Sequence, residues 1–272
     1  MAHRTQFHHG STTRSPRPEL SQHFLLPWAA RHIVRRVNGI DGPIIEFGAG
    51  DGALTAALAD TGLRVIAIEK DPRLFRSLRA RFSGRSNVEC HFGDALALPL
   101  PPGRYSVVSN VPYNATAAIV RRLVDATPPP LEALLVLQRE AARKFAGVPH
   151  ETVFSVQYKP WFDLRIAGGV PRAAFVPRPR VASSLLRMSR RTHPLISAGD
   201  ADAYRTFVAG SFGRPSMRMA LRATTTRRQA ARIAREAGLS LDARPRDVRL
   251  DLWMLIFRFV AHLCSGRDPA AA

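Results

Sequence analysis

From Gly42 onward, short apolar runs alternate with stretches whose apolar positions return every three or four residues. Runs of the first kind fit strands and stretches of the second fit helices, and their alternation marks βα units that build a parallel sheet. Strands are expected at 43–47, 64–68, 87–91, 106–109, 131–137 and 154–158, with a last one near 183–189. Helices are expected between them at 53–61, 72–82, 116–126 and 139–147, and Gly62, Gly84 and Gly147 stand where helices commonly stop. After His193 the texture changes, and 201–212, 217–223, 226–238 and 248–262 all read as helices. In the third of these, Ala230, Ile233, Ala234 and Ala237 share one side and Arg228, Arg232 and Arg235 the other, so one face packs and the other is basic. The expected fold is α/β: a mostly parallel doubly wound sheet over residues 19–194, then a small all-α domain over 195–263, with disordered ends at 1–18 and 264–272.

Charge narrows the partner. A formal net charge of +19 and a pI near 11.5 exceed what solubility needs and call for a polyanion. Lysine occurs only at 70, 144 and 159, so arginine carries the charge, a skew that a GC-rich genome also produces. Clustering says more than the total. Seven arginines and no acid lie between Leu164 and His193, and again between Arg214 and Arg235. Either stretch alone fits a solvated face, whereas two in one half of the chain favour a surface that tracks phosphates. The apolar run 252–264 is too short to span a bilayer and is broken by Arg258 and His262, so it reads as a buried helix and no membrane is expected. Residues 1–18 hold no apolar core of a secretory signal, which points to the cytoplasm. Cys90 and Cys264 are too few for a disulfide framework or a zinc site, and the adjacent His8 and His9 have no further ligand at metal spacing. No metal is expected, and a monomer is the default.

The first chemical signal is Ile44-Ile45-Glu46-Phe47-Gly48-Ala49-Gly50-Asp51-Gly52, an apolar strand running into a glycine loop and then a helix. Glycines let the backbone turn sharply and approach a ligand, and a helix start favours negative groups. A plain glycine turn fits these residues too. The Gly-x-Gly-x-Gly spacing differs from the Gly-x-Gly-x-x-Gly of dinucleotide folds, which counts against a nicotinamide oxidoreductase. Glu69 closes the next strand, where a carboxylate can accept from both ribose hydroxyls of a nucleoside, and Lys70 follows it. Asp94, with Ala95, follows the strand after that, placed for an adenine amino group. Singly these are strand-end acids; in succession on the rim where open α/β sheets bind ligands, they describe a nucleoside cofactor site.

The fourth strand ends in Asn110-Val111-Pro112-Tyr113. The exocyclic nitrogen of adenine is a poor nucleophile because its lone pair is delocalised into the ring, so an enzyme must position it and favour the pyramidal nitrogen. Asn110 Oδ1 and the Pro112 carbonyl can accept the two amine protons, with Pro112 stiffening the turn. Tyr113 offers a ring on which a flipped base can stack. A proline turn after a buried strand is the plainer reading of the tetrad taken alone.

At these residues the sequence resembles the rRNA adenine-N6 methyltransferases, a superfamily containing the erythromycin-resistance (Erm) enzymes and the small-subunit rRNA dimethyladenosine transferases. The similarity runs from Leu20 over nearly the whole chain. It implies a Rossmann-like class I methyltransferase fold, S-adenosyl-L-methionine as cofactor and ribosomal RNA as partner. Ser21-Gln22-His23-Phe24-Leu25 resembles the opening motif, commonly Ser-Gln-Asn-Phe-Leu, which implies that Gln22, His23 and Leu25 help bind the methionine moiety. The resemblance likewise implies cofactor contacts from Glu46, Gly48, Gly50, Glu69, Lys70, Asp94, Ala95 and Asn110. Phe175-Val176-Pro177-Arg178-Pro179-Arg180-Val181 resembles the later Phe-x-Pro-x-Pro-x-Val motif, which implies that Phe175 covers the target adenine opposite Tyr113. Physics alone reads Phe175 as a core aromatic. His23 replaces the family's commoner Asn, Ala182 its Asp, and residues 212–218 lack its Arg-Arg-Lys run.

The stretches 138–144 and 190–195 are closer to actinobacterial Erm sequences than to the small-subunit enzymes. The leading expectation is therefore methylation of an adenine in large-subunit (23S) rRNA, with macrolide-type resistance as its consequence. A small-subunit dimethylase in ribosome biogenesis is the alternative. A non-catalytic RNA-binding protein would show erosion of the glycine loop or the tetrad, and both are intact.

Overall fold

The structure is a computed structural model that describes residues 23–37 and 41–264. Its centre is a seven-stranded sheet built from β2 (Ile44–Phe47), β3 (Val65–Glu69), β4 (Val88–Phe92), β5 (Ser106–Asn110), β6 (Glu132–Gln138), β7 (Phe162–Val170) and β9 (Ser183–Arg190), in the order β4-β3-β2-β5-β6-β9-β7. The first five of that order pair in parallel, and β9 and β7 close one edge antiparallel. A separate ribbon pairs β1 (Phe24–Leu25) with β8 (Phe175–Val176). Helices α1 (Pro27–Val34), α2 (Ala53–Ala59), α3 (Pro72–Arg81), α4 (Thr116–Val124) and α5 (Arg139–Ala146) accompany the sheet.

The strands form where the chain buries side chains on both faces, as parallel strands between helical layers must. Successive residues serve opposite cores: Ile45, Val107 and Leu135 pack on one face, Ile44, Val108 and Leu134 on the other. Helix starts carry their own signals. Asp71 caps α3 by accepting from the Arg73 amide at 2.8 Å, with Pro72 as the first helical residue, and Gly147 ends α5 at φ +69°.

Two segments depart from expectation. Residues 153–158 form a helix, α6 (Val153–Tyr158), and not a strand. Phe154 and Tyr158 face the sheet core while Val156 faces the core of the C-terminal helices. A helix caught between two cores has apolar residues at 154, 156 and 158, which imitates the two-residue period of a strand. Thr152 and Ser155 form its capping box. The edge strand β7 is not among the expected strands; in the structure a bulge between Ile166 and Gly168 interrupts its pairing with β9.

Beyond β9, helices α7 (Ala201–Phe212), α8 (Met217–Arg222), α9 (Arg227–Ala237) and α10 (Leu250–Cys264) surround Trp253, Tyr204 and Met217. Helix α9 buries the four residues Ala230, Ile233, Ala234 and Ala237. These helices join the sheet through α6: the Tyr204 hydroxyl donates to the Val156 carbonyl at 3.0 Å, and Trp161 packs against both cores. Among the described residues no helix is long and apolar enough to cross a membrane.

Candidate active site

The sheet reverses its strand order between β2 and β5, and at the carboxyl ends of these strands and of β3 lies a cavity of about 1030 Å³, open in part to solvent. Such a switch point leaves a crevice that neither neighbouring helix can cover. Of the expected site residues, His23, Leu25, Glu46, Gly48, Gly50, Glu69, Lys70, Asp94, Ala95, Asn110, Pro112 and Tyr113 line it. Gln22 lies outside the described residues. Phe175 does not line it.

One half of the cavity is fixed by nearby chain. Gly48 and Gly50 sit at φ +67° and +60°, and a Cβ on them would meet the Pro112 ring at 3.4 Å and the Phe24 ring at 3.0 Å. The loop therefore needs glycine for its conformation and for its closeness to these rings. Glu69 is buried and accepts the Gly50 amide at 2.8 Å on Oε2 and the Asp71 amide at 2.8 Å on Oε1. Each oxygen keeps a lone pair, so the carboxylate can still take two hydroxyl donors. Asp94 accepts the Leu96 amide at 2.8 Å on Oδ1, and the Arg122 guanidinium fixes its loop by donating to the Ala95 and Leu98 carbonyls. Glu46 is buried and accepts the Thr55 hydroxyl at 2.6 Å. Burial pushes its carboxyl up to about 8, the Thr55 hydrogen bond pulls against that, and the charges of Asp51 and Glu69 add to it. This rim suits an adenosyl group beside a cationic centre.

The other half is held from far along the chain. Asn110 Nδ2 donates to the His23 carbonyl at 2.8 Å, which leaves Oδ1 without a protein partner among the described residues. The Tyr113 hydroxyl and Ser183 Oγ are 2.8 Å apart, and burial raises the phenol's pKa while the Ser183 hydrogen bond lowers it. The His23 ring lies 5.3 Å from the Tyr113 ring, and its Nδ1 is 2.9 Å from the Pro177 carbonyl.

Two expectations are corrected here. The Pro112 carbonyl is not a free acceptor: the Ala115 amide donates to it at 2.9 Å and the Thr116 hydroxyl at 3.4 Å, as the chain turns into α4. The neighbouring carbonyl with no hydrogen bond among the described residues is that of Val111, which lines the cavity. Phe175, 1% exposed, packs with Leu25, Ala174 and Leu185 in the core behind the ribbon, so the physical reading of a core aromatic holds and the implied lid over the adenine does not. Phe175 is directly opposite Leu25 in the ribbon, and the two side chains share one core. The sequence reading missed Ser183, Thr55 and the Val111 carbonyl. A serine or threonine hydroxyl carries no spacing signal, and a carbonyl carries none at all.

Comparison with known proteins gives the family. The family profile for Ribosomal RNA adenine dimethylase matches residues 15–262. The mycinamicin-resistance protein MyrB of Micromonospora griseorubida is 33% identical over 94% of this chain and 82% of its own. An rRNA adenine N-6-methyltransferase of Streptomyces fradiae is 37% identical over 89% of this chain and 78% of its own. The crystal structure of the 23S rRNA methyltransferase ErmE superposes with a TM-score of 0.81 at 31% identity, covering 88% of this chain and 99% of that one.

Proposed function

The chain belongs to the ribosomal RNA adenine dimethylase family of S-adenosylmethionine-dependent rRNA adenine-N6 methyltransferases, and from that membership we propose that it methylates an adenine of large-subunit (23S) rRNA, giving resistance to macrolide-type antibiotics. The observation that carries the chemistry is that Asn110 and Val111, whose Oδ1 and carbonyl are unengaged among the described residues, both line the cavity beside the glycine loop. The 23S assignment is supported by the likeness to ErmE and to a macrolide-resistance protein over almost the full chain.

When bound, S-adenosylmethionine supplies an electrophilic methyl group on a sulfonium. Residues fit to hold it are Gly48 and Gly50, whose missing Cβ atoms leave the cradle open, Glu69 for the ribose hydroxyls, and Asp94 with Ala95 for the adenine ring. Glu46 lies close to where positive charge is welcome; His23, Leu25 and Lys70 complete the wall. On the acceptor side Asn110 Oδ1 and the Val111 carbonyl accept the two amine protons and hold the nitrogen lone pair toward the donor. Pro112 stiffens the turn between them, and the Tyr113 ring stacks the flipped base, a contact worth about 1–3 kcal/mol. No strong base is needed, because the alignment of a reactive sulfonium with a localised lone pair does most of the work. A single chain in the cytoplasm is the acting unit in this reading.

The test is transfer of labelled methyl groups to protein-free large-subunit rRNA and, separately, to small-subunit particles, with the modified base mapped by primer extension. Label on an adenine of the large-subunit RNA is the expected result. Label on the small subunit alone overturns the 23S assignment.

A further inference from the structure

Helix α1 turns one face to the core and leaves the other unused. Ala29, Ala30, Ile33 and Val34 are buried, while Trp28, Arg31 and Arg35 are exposed at a spacing of three and then four residues, which places them in one stripe. Trp28 is 47% exposed, and among the described residues no ring or guanidinium packs on its indole. The helix starts two residues after Leu25, so the Trp28 end of the stripe is the end beside the cavity. The stripe runs about 10 Å, at 1.5 Å per residue, to the C-terminal end of the helix.

There it opens into a second depression, about 800 Å³ of partly open space lined by Arg35, Arg36, Arg165, Arg187, Ile166 and Ala167. Among the described residues no carboxylate lines it. Arg187 is largely spoken for, by Glu132 at 3.3 Å and the Arg36 carbonyl, and Arg165 lies 3.5 Å from Asp163 at the surface. Arg31, Arg35 and Arg36 have no carboxylate partner among the described residues, and residues 20–40 contain no Asp or Glu. The edge strand β7 is kept low here: a Cβ on Gly169 would meet nothing, and one on Gly168 would lie 3.7 Å from the Arg36 guanidinium. Small residues at a sheet edge let another backbone approach closely.

We propose that the outer face of α1 and this four-arginine depression bind the RNA strand that flanks the target adenine, with Trp28 stacking a base and Arg31, Arg35 and Arg36 holding successive phosphates. An aromatic platform interleaved with spaced arginines is the arrangement that single-stranded RNA recognises, stacking giving sequence-tolerant affinity and the cations tracking the backbone. A membrane surface fits less well, because the apolar side of α1 is already spent in the core. The proposal rests on the rRNA reading and extends it. It places part of the substrate footprint on the sheet domain, apart from the basic α9 face.

The full chain carrying Trp28→Ala, and separately Arg35→Gln with Arg36→Gln, is compared with wild type for RNA and cofactor binding, turnover and salt dependence. Trp28→Ala should raise the KM for large-subunit rRNA by about 5- to 150-fold, the equivalent of one lost stacked base, with kcat and S-adenosylmethionine affinity unchanged. Trp28→Phe should restore most of it. The double arginine variant should flatten the slope of log K against log salt by about 1.4, or 0.7 per phosphate on a single strand. RNA should also quench tryptophan emission in wild type and not in Trp28→Phe, since Trp253 is buried and Trp161 partly so. Unchanged KM, slope and quenching in variants of an enzyme that methylates rRNA would overturn this site alone. A wild type that methylates no rRNA would overturn the functional reading on which it stands.

Discussion

The two halves of the cavity are held in different ways. On the cofactor half the bonds are short in sequence: Glu69 to the amides of Gly50 and Asp71, 19 and 2 residues away, and Asp94 to Leu96. On the acceptor half they are long: Asn110 reaches His23 across 87 residues, Tyr113 reaches Ser183 across 70, and His23 reaches Pro177 across 154. A site held locally is set once its strands are in register, whereas one held by distant segments depends on the whole fold having closed around it. The first half can bind a ligand common to many methyltransferases. The second is where a particular acceptor is chosen.

That difference is sharpened most by Asn110→Ala. Removing the oxygen that accepts an amine proton should lower kcat by about 10²- to 10³-fold, the cost of losing one preorganised polar group at a reacting centre. Calorimetry should find S-adenosylmethionine affinity within a few-fold of wild type. Turnover near normal would mean that the acceptor half lies elsewhere. Gly48→Val acts on the opposite half. A β-branched residue at φ +67°, with its Cβ 3.4 Å from the Pro112 ring, fills the cradle, and cofactor affinity should fall at least tenfold, about 1.4 kcal/mol. Gly52→Ala is its control: a Cβ there meets Leu78 and Phe82 at 2.8 Å, so it should lower the melting temperature, and a loss confined to cofactor affinity would refute the division of roles within the loop.

The same contrast decides what could be read from the chain. Gly48, Gly50, Glu69 and Asp94 declare themselves because each lies at or just past the end of an expected strand, and residue type plus position suffices. The acceptor half is only partly legible. Asn110 and Tyr113 stand in a recognisable tetrad, yet which carbonyl of the turn is free is decided by how the chain enters α4, and a resemblance to a motif placed Phe175 over a base where the structure packs it with Leu25 and Leu185. The arginines of 164–193 read as one surface, but β7 and β9 disperse them. Arg165 and Arg187 meet in register at the depression, Arg187 largely buried, while Arg190 and Arg191 turn to the carbonyls of Pro129 and Lys159. Charge clustering along the chain therefore does not by itself mark one surface.

A pH-dependent effect comes from the buried acid of the cofactor half. The folded protein holds Glu46 protonated up to about pH 8, against an ordinary value of 4.5, so the folded state binds the extra proton between those limits. That contribution to stability is complete below pH 4.5 and is lost as pH rises through 8, at about 1.4 kcal/mol per pH unit in between. Glu46→Gln retains an oxygen for the Thr55 hydroxyl and removes the titration. In the cofactor-free protein its melting temperature should therefore fall less than that of wild type between pH 5 and about pH 8. Parallel curves would mean that Glu46 is ionised in the folded state.

The smallest effect tests the longest reach of the acceptor half. The Tyr113–Ser183 hydrogen bond joins the tetrad to the first residue of β9, and a neutral bond of this kind contributes about 0.5–1.5 kcal/mol. If it only orients the ring, Tyr113→Phe and Ser183→Ala should each lower kcat a few-fold while leaving cofactor affinity alone, and the double variant should be no worse than either. A coupling of that size, measured by the double-mutant cycle, would make the serine a positioning residue for the base platform. Additive losses would instead assign Ser183 to the packing of β9 against β6, and the acceptor half would then be oriented by His23 and Asn110 without help from the far edge of the sheet.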